Sequence, residues 1–122
     1  MERHKRNSLY KSFRCAFEGI WTGLKKERNM KIHFFFMIGV IFAGLIYKIS
    51  LIEWCICLIL FGLILSLELV NTAIEAVVDL VTEEKKPLAK VAKDTAAGAV
   101  LFSAIMALII GLIIFIPKVF IR

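Results

Sequence analysis

Three acidic residues and an asparagine lie on one face of a predicted apolar helix. Their positions, three or four residues apart, are Glu68, Asn71, Glu75 and Asp79. This spacing keeps them within about 80° of one helical face, and we call them the acidic stripe. Carboxylates inside a membrane helix are costly unless they are paired, hydrated or metal-bound. Because the helix contains no lysine or arginine, the stripe predicts a cationic partner, either Mg²⁺ or a proton.

Charged residues next to the other two apolar segments add to this chemistry. Glu27 and Lys31 precede the first segment, and Lys93 and Asp94 precede the last. Phosphoryl transfer uses such groups, because a metal bridges phosphate oxygens, a lysine offsets charge and a carboxylate takes the acceptor's proton. The alternative for Lys93 and Asp94 is a solvated helix start that Asp94 caps.

The residues alone leave the class of protein open. Neither G-x-x-x-x-G-K-[ST] nor G-x-G-x-x-G occurs, so a nucleotide site would be built without a glycine-rich loop. Besides a metal-dependent phosphotransferase, a small proton-coupled transporter using Glu68 and a purely structural oligomerising protein fit the pattern. The transporter is disfavoured because a coupling acid near the midplane would not explain charges gathered at one surface.

The elements that carry these residues are those of a membrane protein. Of 122 residues, 60% are hydrophobic and the mean hydropathy is +0.82, against about 45–50% apolar residues in soluble domains. The segment 95–117 has no Asp, Glu, Lys or Arg and can cross about 30 Å of hydrocarbon. We predict one all-α domain over 1–122, with a surface helix at about 8–26 and membrane helices at 30–47, 54–80 and 95–117.

The distribution of basic residues predicts the orientation. Of 16 Lys and Arg, nine lie in 1–31 and four in 81–94, against one in 48–53 and two after Pro117. Basic residues concentrate on the cytoplasmic side, so we expect a multi-pass cell-membrane protein with a cytoplasmic N-terminus and active site. The net charge of +6 is explained by anionic headgroups, and no nucleic-acid partner is expected.

Three further patterns concern packing and thiols. The N-terminal segment has apolar residues at helical spacing, which predicts a helix on the membrane surface or one packed on another helix. The last span has small residues at every fourth position, which favours close helix packing: Ala99, Ser103, Ala107 and Gly111. The three cysteines lack metal-site spacing, so free thiols are expected.

Two linked motifs resemble the signature of the prokaryotic diacylglycerol kinase family. They are Glu68-Leu-Val-Asn-Thr-Ala-Ile-Glu-Ala-Val-Val-Asp79 and Ala92-Lys-Asp-Thr-Ala-Ala-Gly-Ala-Val100. Two more segments resemble the Gram-positive branch, whose members are generally undecaprenol kinases: Lys11-Ser-Phe-Arg-Cys-Ala-Phe-Glu-Gly19 and Glu27-Arg-Asn-Met-Lys-Ile-His33. The resemblance covers nearly the whole chain. It implies transfer of the ATP γ-phosphate to undecaprenol, with diacylglycerol as the alternative lipid alcohol, by a membrane homotrimer with shared active sites.

The resemblance also implies roles for individual residues. Glu68 would be the general base on the lipid hydroxyl, and Asn71 would orient the reacting groups. Glu27 and Glu75 would bind the Mg²⁺ that accompanies ATP. The remaining residues would contact the nucleotide or lie near it: Cys15, Glu84, Lys85, Lys86, Lys93 and Asp94.

Overall fold

The computed structural model describes the backbone of residues 2–121 and the side chains of 8–27 and 29–121. Its helices are α1 (Glu2–Lys26), α2 (Arg28–Ile46), α3 (Leu51–Val81) and α4 (Pro87–Phe120). Helices α2, α3 and α4 are each long and apolar enough to cross a membrane. The prediction of an all-α chain with three such helices is therefore confirmed.

Helix α4 begins well before the predicted span. Lys86 is its N-cap residue and Pro87 lies in the first turn, where proline is favoured because the amide hydrogen that it lacks would have no helical partner. Asp94 therefore lies inside the helix, and the alternative in which it caps the helix is wrong. Pro117 also lies inside α4, which continues to Phe120.

A tight turn joins α2 to α3. Ser50 caps α3 through a capping box, in which Ser50 Oγ accepts from the Glu53 amide at 3.2 Å and Glu53 Oε1 accepts from the Ser50 amide at 2.9 Å. Gly44 lets the two helices approach closely, because a Cβ there would lie 2.6 Å from the Trp54 indole. This contact fixes the start of α3 against the end of α2.

The main contact between helices is α3 against α4, and α1 crosses α3 near Gly23. A Cβ at Gly23 would lie 2.4 Å from Leu69 Cδ2, so glycine is needed for this crossing. Among the small residues predicted to mediate packing, Ser103 is buried and Ala99 is exposed. The contact face of α4 is completed by Ala96, Val100 and Ile114.

The distribution of polar and apolar side chains is the reverse of that in a soluble domain. Large apolar side chains such as Leu58, Ile59 and Phe102 are exposed, whereas Glu68 and Asn71 are buried. Soluble proteins almost never bury a carboxylate and expose such surfaces. In a bilayer, lipid covers the apolar faces and polar groups turn inward, which accounts for the burial of Glu68 and Asn71 inside the bundle.

Candidate active site

Glu68 is the most deeply buried acidic residue in the described part of the chain, with 1% of its surface exposed. Its Oε1 lies 3.0 Å from Nε2 of His33, which α2 supplies. Its Oε2 is buried and has no hydrogen-bond partner among the described residues. A buried polar atom without a partner costs free energy, so Oε2 is available for a ligand.

Asn71 lies one turn further along α3 and is 5% exposed. Its side-chain Nδ2 donates to Glu75 Oε1 at 3.4 Å, while its Oδ1 is buried without a partner in the described chain. Two adjacent residues of the stripe thus each present one free oxygen. Further along α3 the stripe becomes accessible, because Glu75 is half-buried and Asp79 is exposed.

Glu27 is brought to the stripe by the junction between α1 and α2. It occupies the N-cap position of α2 without capping it through its side chain. Thr72 Oγ1 lies 2.9 Å from Glu27 Oε1 and 3.0 Å from the Glu68 carbonyl oxygen. A hydroxyl has one hydrogen to donate, so Thr72 serves one of these acceptors at a time and ties the Glu27 carboxylate to α3.

Lys93 and Asp94 are neighbours in sequence, but they bind different partners. Lys93 Nζ donates to Asp79 Oδ1 at 2.7 Å, which links α4 to the end of the stripe. Asp94 instead accepts from Lys90 on its own helix. The structure therefore brings Lys93 to the predicted site and leaves Asp94 on the exposed side of α4.

Glu27 and Glu75 have the side-chain chemistry of Mg²⁺ ligands. No described lysine or arginine lies within ion-pair distance of either. Mg²⁺ usually takes one or two carboxylates together with water and substrate phosphates. The described residues contain no cluster of three metal-binding side chains.

An apolar groove of about 520 Å³ runs between α2, α3 and α4. His33 is among its lining residues, whereas apolar side chains such as Phe36, Ile64 and Leu108 form most of the wall. His33 connects the groove wall to the buried carboxylate, because it lines the groove and also contacts Glu68. A long apolar substrate with a polar end matches this surface.

The other predicted site residues lie apart from the stripe in this structure. Cys15 is an exposed free thiol on α1. Glu84, Lys85 and Lys86 are exposed in the α3–α4 loop, where Lys86 Nζ lies 3.9 Å from Glu84 Oε2. Cys55 and Cys57 are also free.

Two residues at the site had no predicted role, His33 and Thr72. His33 is the only titratable residue from Ile32 to Ile46, and an ionisable residue within an apolar span is a candidate for function. The presence of a single titratable residue in this apolar span could therefore have identified His33 from the sequence. Thr72 gave no comparable signal, because threonines in membrane helices commonly bond to their own backbone.

The site combines the buried Glu68 carboxylate, which has one free oxygen, with the Asn71 amide beside it. Two carboxylates without a lysine or arginine partner and one lysine complete it: Glu27, Glu75 and Lys93. A positioned carboxylate can take a proton from a hydroxyl, and metal-bound phosphate next to a lysine is activated for transfer. The groove adds an apolar surface. Together these groups suit phosphoryl transfer to a lipid alcohol.

Comparison with known proteins gives three findings. The family described as prokaryotic diacylglycerol kinase matches residues 14–115. An undecaprenol kinase of Bacillus subtilis is 48% identical over 116 residues, which cover 95% of this chain and 94% of that protein. A diacylglycerol kinase of Synechocystis is 41% identical over 111 residues, which cover 90% of this chain and 63% of that protein.

Proposed function

Because this chain belongs to the prokaryotic diacylglycerol kinase family and is a lipid kinase, we propose that it transfers the γ-phosphate of ATP to the hydroxyl of undecaprenol. The observation that carries the choice of lipid is the 48% identity to a relative named undecaprenol kinase, over 94% of that protein. Diacylglycerol is the second candidate, since a relative named diacylglycerol kinase is 41% identical. Neither relative is named a transporter, so that alternative has no support.

Glu68 is the proposed general base. Its free Oε2 takes the proton of the lipid hydroxyl while that oxygen bonds to the γ-phosphorus. The bond from the γ-phosphorus to the bridging oxygen breaks, and ADP leaves with the electron pair. Asn71, buried one turn further along α3, would orient the reacting groups.

Glu27 and Glu75 are the proposed ligands of Mg²⁺. When bound, the ion would offset the negative charge of the phosphates. Thr72 would hold the Glu27 carboxylate in place through the 2.9 Å contact. Lys93 would contact the phosphates from α4, and the less central nucleotide contacts would come from Glu84, Lys85, Lys86, Asp94 and Cys15.

The proposed location is the cell membrane, with the N-terminus and the active site on the cytoplasmic side. The concentration of Lys and Arg in 1–31 and 81–94 supports this orientation. Helix α1 would lie at the membrane surface, because its apolar side chains Phe13, Phe17 and Trp21 are exposed. ATP would then reach the site from the side that carries the basic loops.

We also propose a homotrimer with active sites shared between chains. The support is the extent of apolar surface that this thin bundle exposes and the two buried oxygens that remain without partners. Chemical cross-linking in mixed micelles tests the assembly. A product of three chains would support the trimer, and cross-linking that stops at monomers would contradict it.

The first experiment is transfer of labelled γ-phosphate from ATP to lipid by the purified protein in mixed micelles. Undecaprenol and diacylglycerol are assayed separately, with and without Mg²⁺, and Glu68→Gln is the inactive control. We expect Mg²⁺-dependent product with undecaprenol in excess of that with diacylglycerol. The reverse ratio would establish diacylglycerol as the substrate, and activity retained after Glu68→Gln would contradict the base assignment.

A further inference from the structure

His33 is the polar group that contacts the Glu68 side chain from another helix. The two residues are 35 positions apart, and the Nε2–Oε1 distance is 3.0 Å. The His33 side chain is 16% exposed and that of Glu68 is 1% exposed. Both groups are thus removed from bulk solvent, where a hydrogen bond is worth more than at the surface.

The contact involves only one of the two carboxylate oxygens. An ionised carboxylate can only accept, so in that state Nε2 of His33 carries the hydrogen. A carboxylate is planar, and holding Oε1 fixes the direction in which Oε2 points. Since Oε2 has no partner among the described residues, the His33 contact determines which oxygen is presented to a substrate.

His33 also links the apolar groove to the stripe, because it lines the groove and contacts Glu68. It lines the groove together with Ile32, Phe36 and Met37 of the same helix. A lipid chain in the groove would bring its hydroxyl towards the imidazole and the carboxylate behind it. His33 is therefore placed to orient both the lipid hydroxyl and the Glu68 carboxylate.

We propose that His33 is a positioning residue for phosphoryl transfer: its Nε2 hydrogen bond holds Glu68 so that Oε2 faces the lipid hydroxyl. This inference rests on the proposed role of Glu68 as the base. His33 exchanges no proton with the substrate in this scheme. What matters is a hydrogen-bond donor at the place that Nε2 occupies.

Two substitutions distinguish a positioning role of His33, through its hydrogen-bond donor, from a purely structural role. His33→Leu removes the donor, whereas His33→Gln keeps an N–H donor at a similar distance from the backbone. We expect His33→Leu to lower kcat by about 10²-fold, as misplacement of a catalytic group can, with KM for ATP unchanged. His33→Gln should recover most of that loss. Ile38→Ala is the matched control and should behave as the wild type, because Ile38 lies on the other side of α2 and is 53% exposed.

The assay includes Glu68→Gln, so that the two proposals can fail separately. Wild-type kcat in His33→Leu with an inactive Glu68→Gln would overturn the role of His33 and leave the base assignment intact. Activity in Glu68→Gln would overturn both. Equal losses in His33→Leu and His33→Gln would also overturn the positioning role, because the donor alone would not suffice. Size-exclusion chromatography checks that each variant assembles. If His33→Leu does not assemble, the test depends on His33→Gln: a near-normal kcat supports the positioning role of His33, and a large loss of kcat contradicts it.

Discussion

Glu53 and Glu68 lie on the same helix, but their surroundings differ. Glu53 accepts from the Ser50 amide at 2.9 Å and from Lys118 Nζ at 2.7 Å, so both of its oxygens have partners. Glu68 has His33 at one oxygen and no partner at the other among the described residues. The first carboxylate joins the start of α3 to the end of α4.

We propose that this difference separates a structural acid from a catalytic one in this protein. A carboxylate whose hydrogen bonds are all made inside the chain has no capacity left for a substrate. One with a buried free oxygen is unfavourable in the resting state and gains from a ligand. Four comparisons between variants, from the largest expected effect to the smallest, test this contrast and its consequences for the site.

The largest expected effect is that of Glu68→Gln compared with Glu53→Gln. Loss of a general base costs about 10²–10⁴-fold in rate, so we expect kcat of Glu68→Gln to fall by that amount while the protein stays folded. Glu53→Gln should retain wild-type kcat. Phosphate transfer and thermal unfolding in detergent are measured on both, and comparable losses of kcat would remove the distinction between the two acids.

Lys93→Met tests whether the lysine at the end of the stripe serves the nucleotide. A charge-assisted hydrogen bond to phosphate is strong, so kcat/KM for ATP should fall by about tenfold or more. Lys90→Met is the matched control, because Lys90 lies one turn away and pairs with Asp94. If both variants lose activity equally, general charge and not a specific contact is responsible.

Thr72→Val removes the hydroxyl near Glu27 and keeps the shape of the side chain. Groups that orient metal ligands typically contribute about 10–100-fold in metal affinity, and we expect the Mg²⁺ concentration for half-maximal activity to rise by about tenfold. Ser103→Ala is the control, since the Ser103 hydroxyl donates to the Val100 carbonyl of its own helix at 2.8 Å. An unchanged Mg²⁺ dependence in Thr72→Val would argue against Glu27 as a ligand.

The smallest effect should come from the ion pair between Glu53 and Lys118. Lys118→Met breaks the contact with Glu53, and partly exposed pairs contribute about 1 kcal/mol or less. We expect a small decrease in thermal stability without a change in kcat. In a double-mutant cycle with Glu53→Gln, a coupling energy near zero would show that the pair does not stabilise the protein.

Much of the architecture follows from the sequence alone. The uncharged segment 95–117 and the two other apolar segments predict three helices of membrane-spanning length, and the spacing from Glu68 to Asp79 predicts the stripe. These are local properties, set by a period of about 3.6 residues per turn and by apolar length. The motifs of α3 and α4 then indicate the family, which the comparisons confirm.

Only the tertiary structure decided which residues meet across helices. His33 and Glu68 are 35 positions apart, Glu27 and Thr72 are 45 apart, and Glu53 and Lys118 are 65 apart. Periodicity defines the face of each helix but not its rotation or axial register against a neighbour, which depend on how side chains interlock. Here Gly23 and Gly44 allow close approaches to Leu69 and Trp54 of α3, and the contact from His33 decides which oxygen of Glu68 stays free.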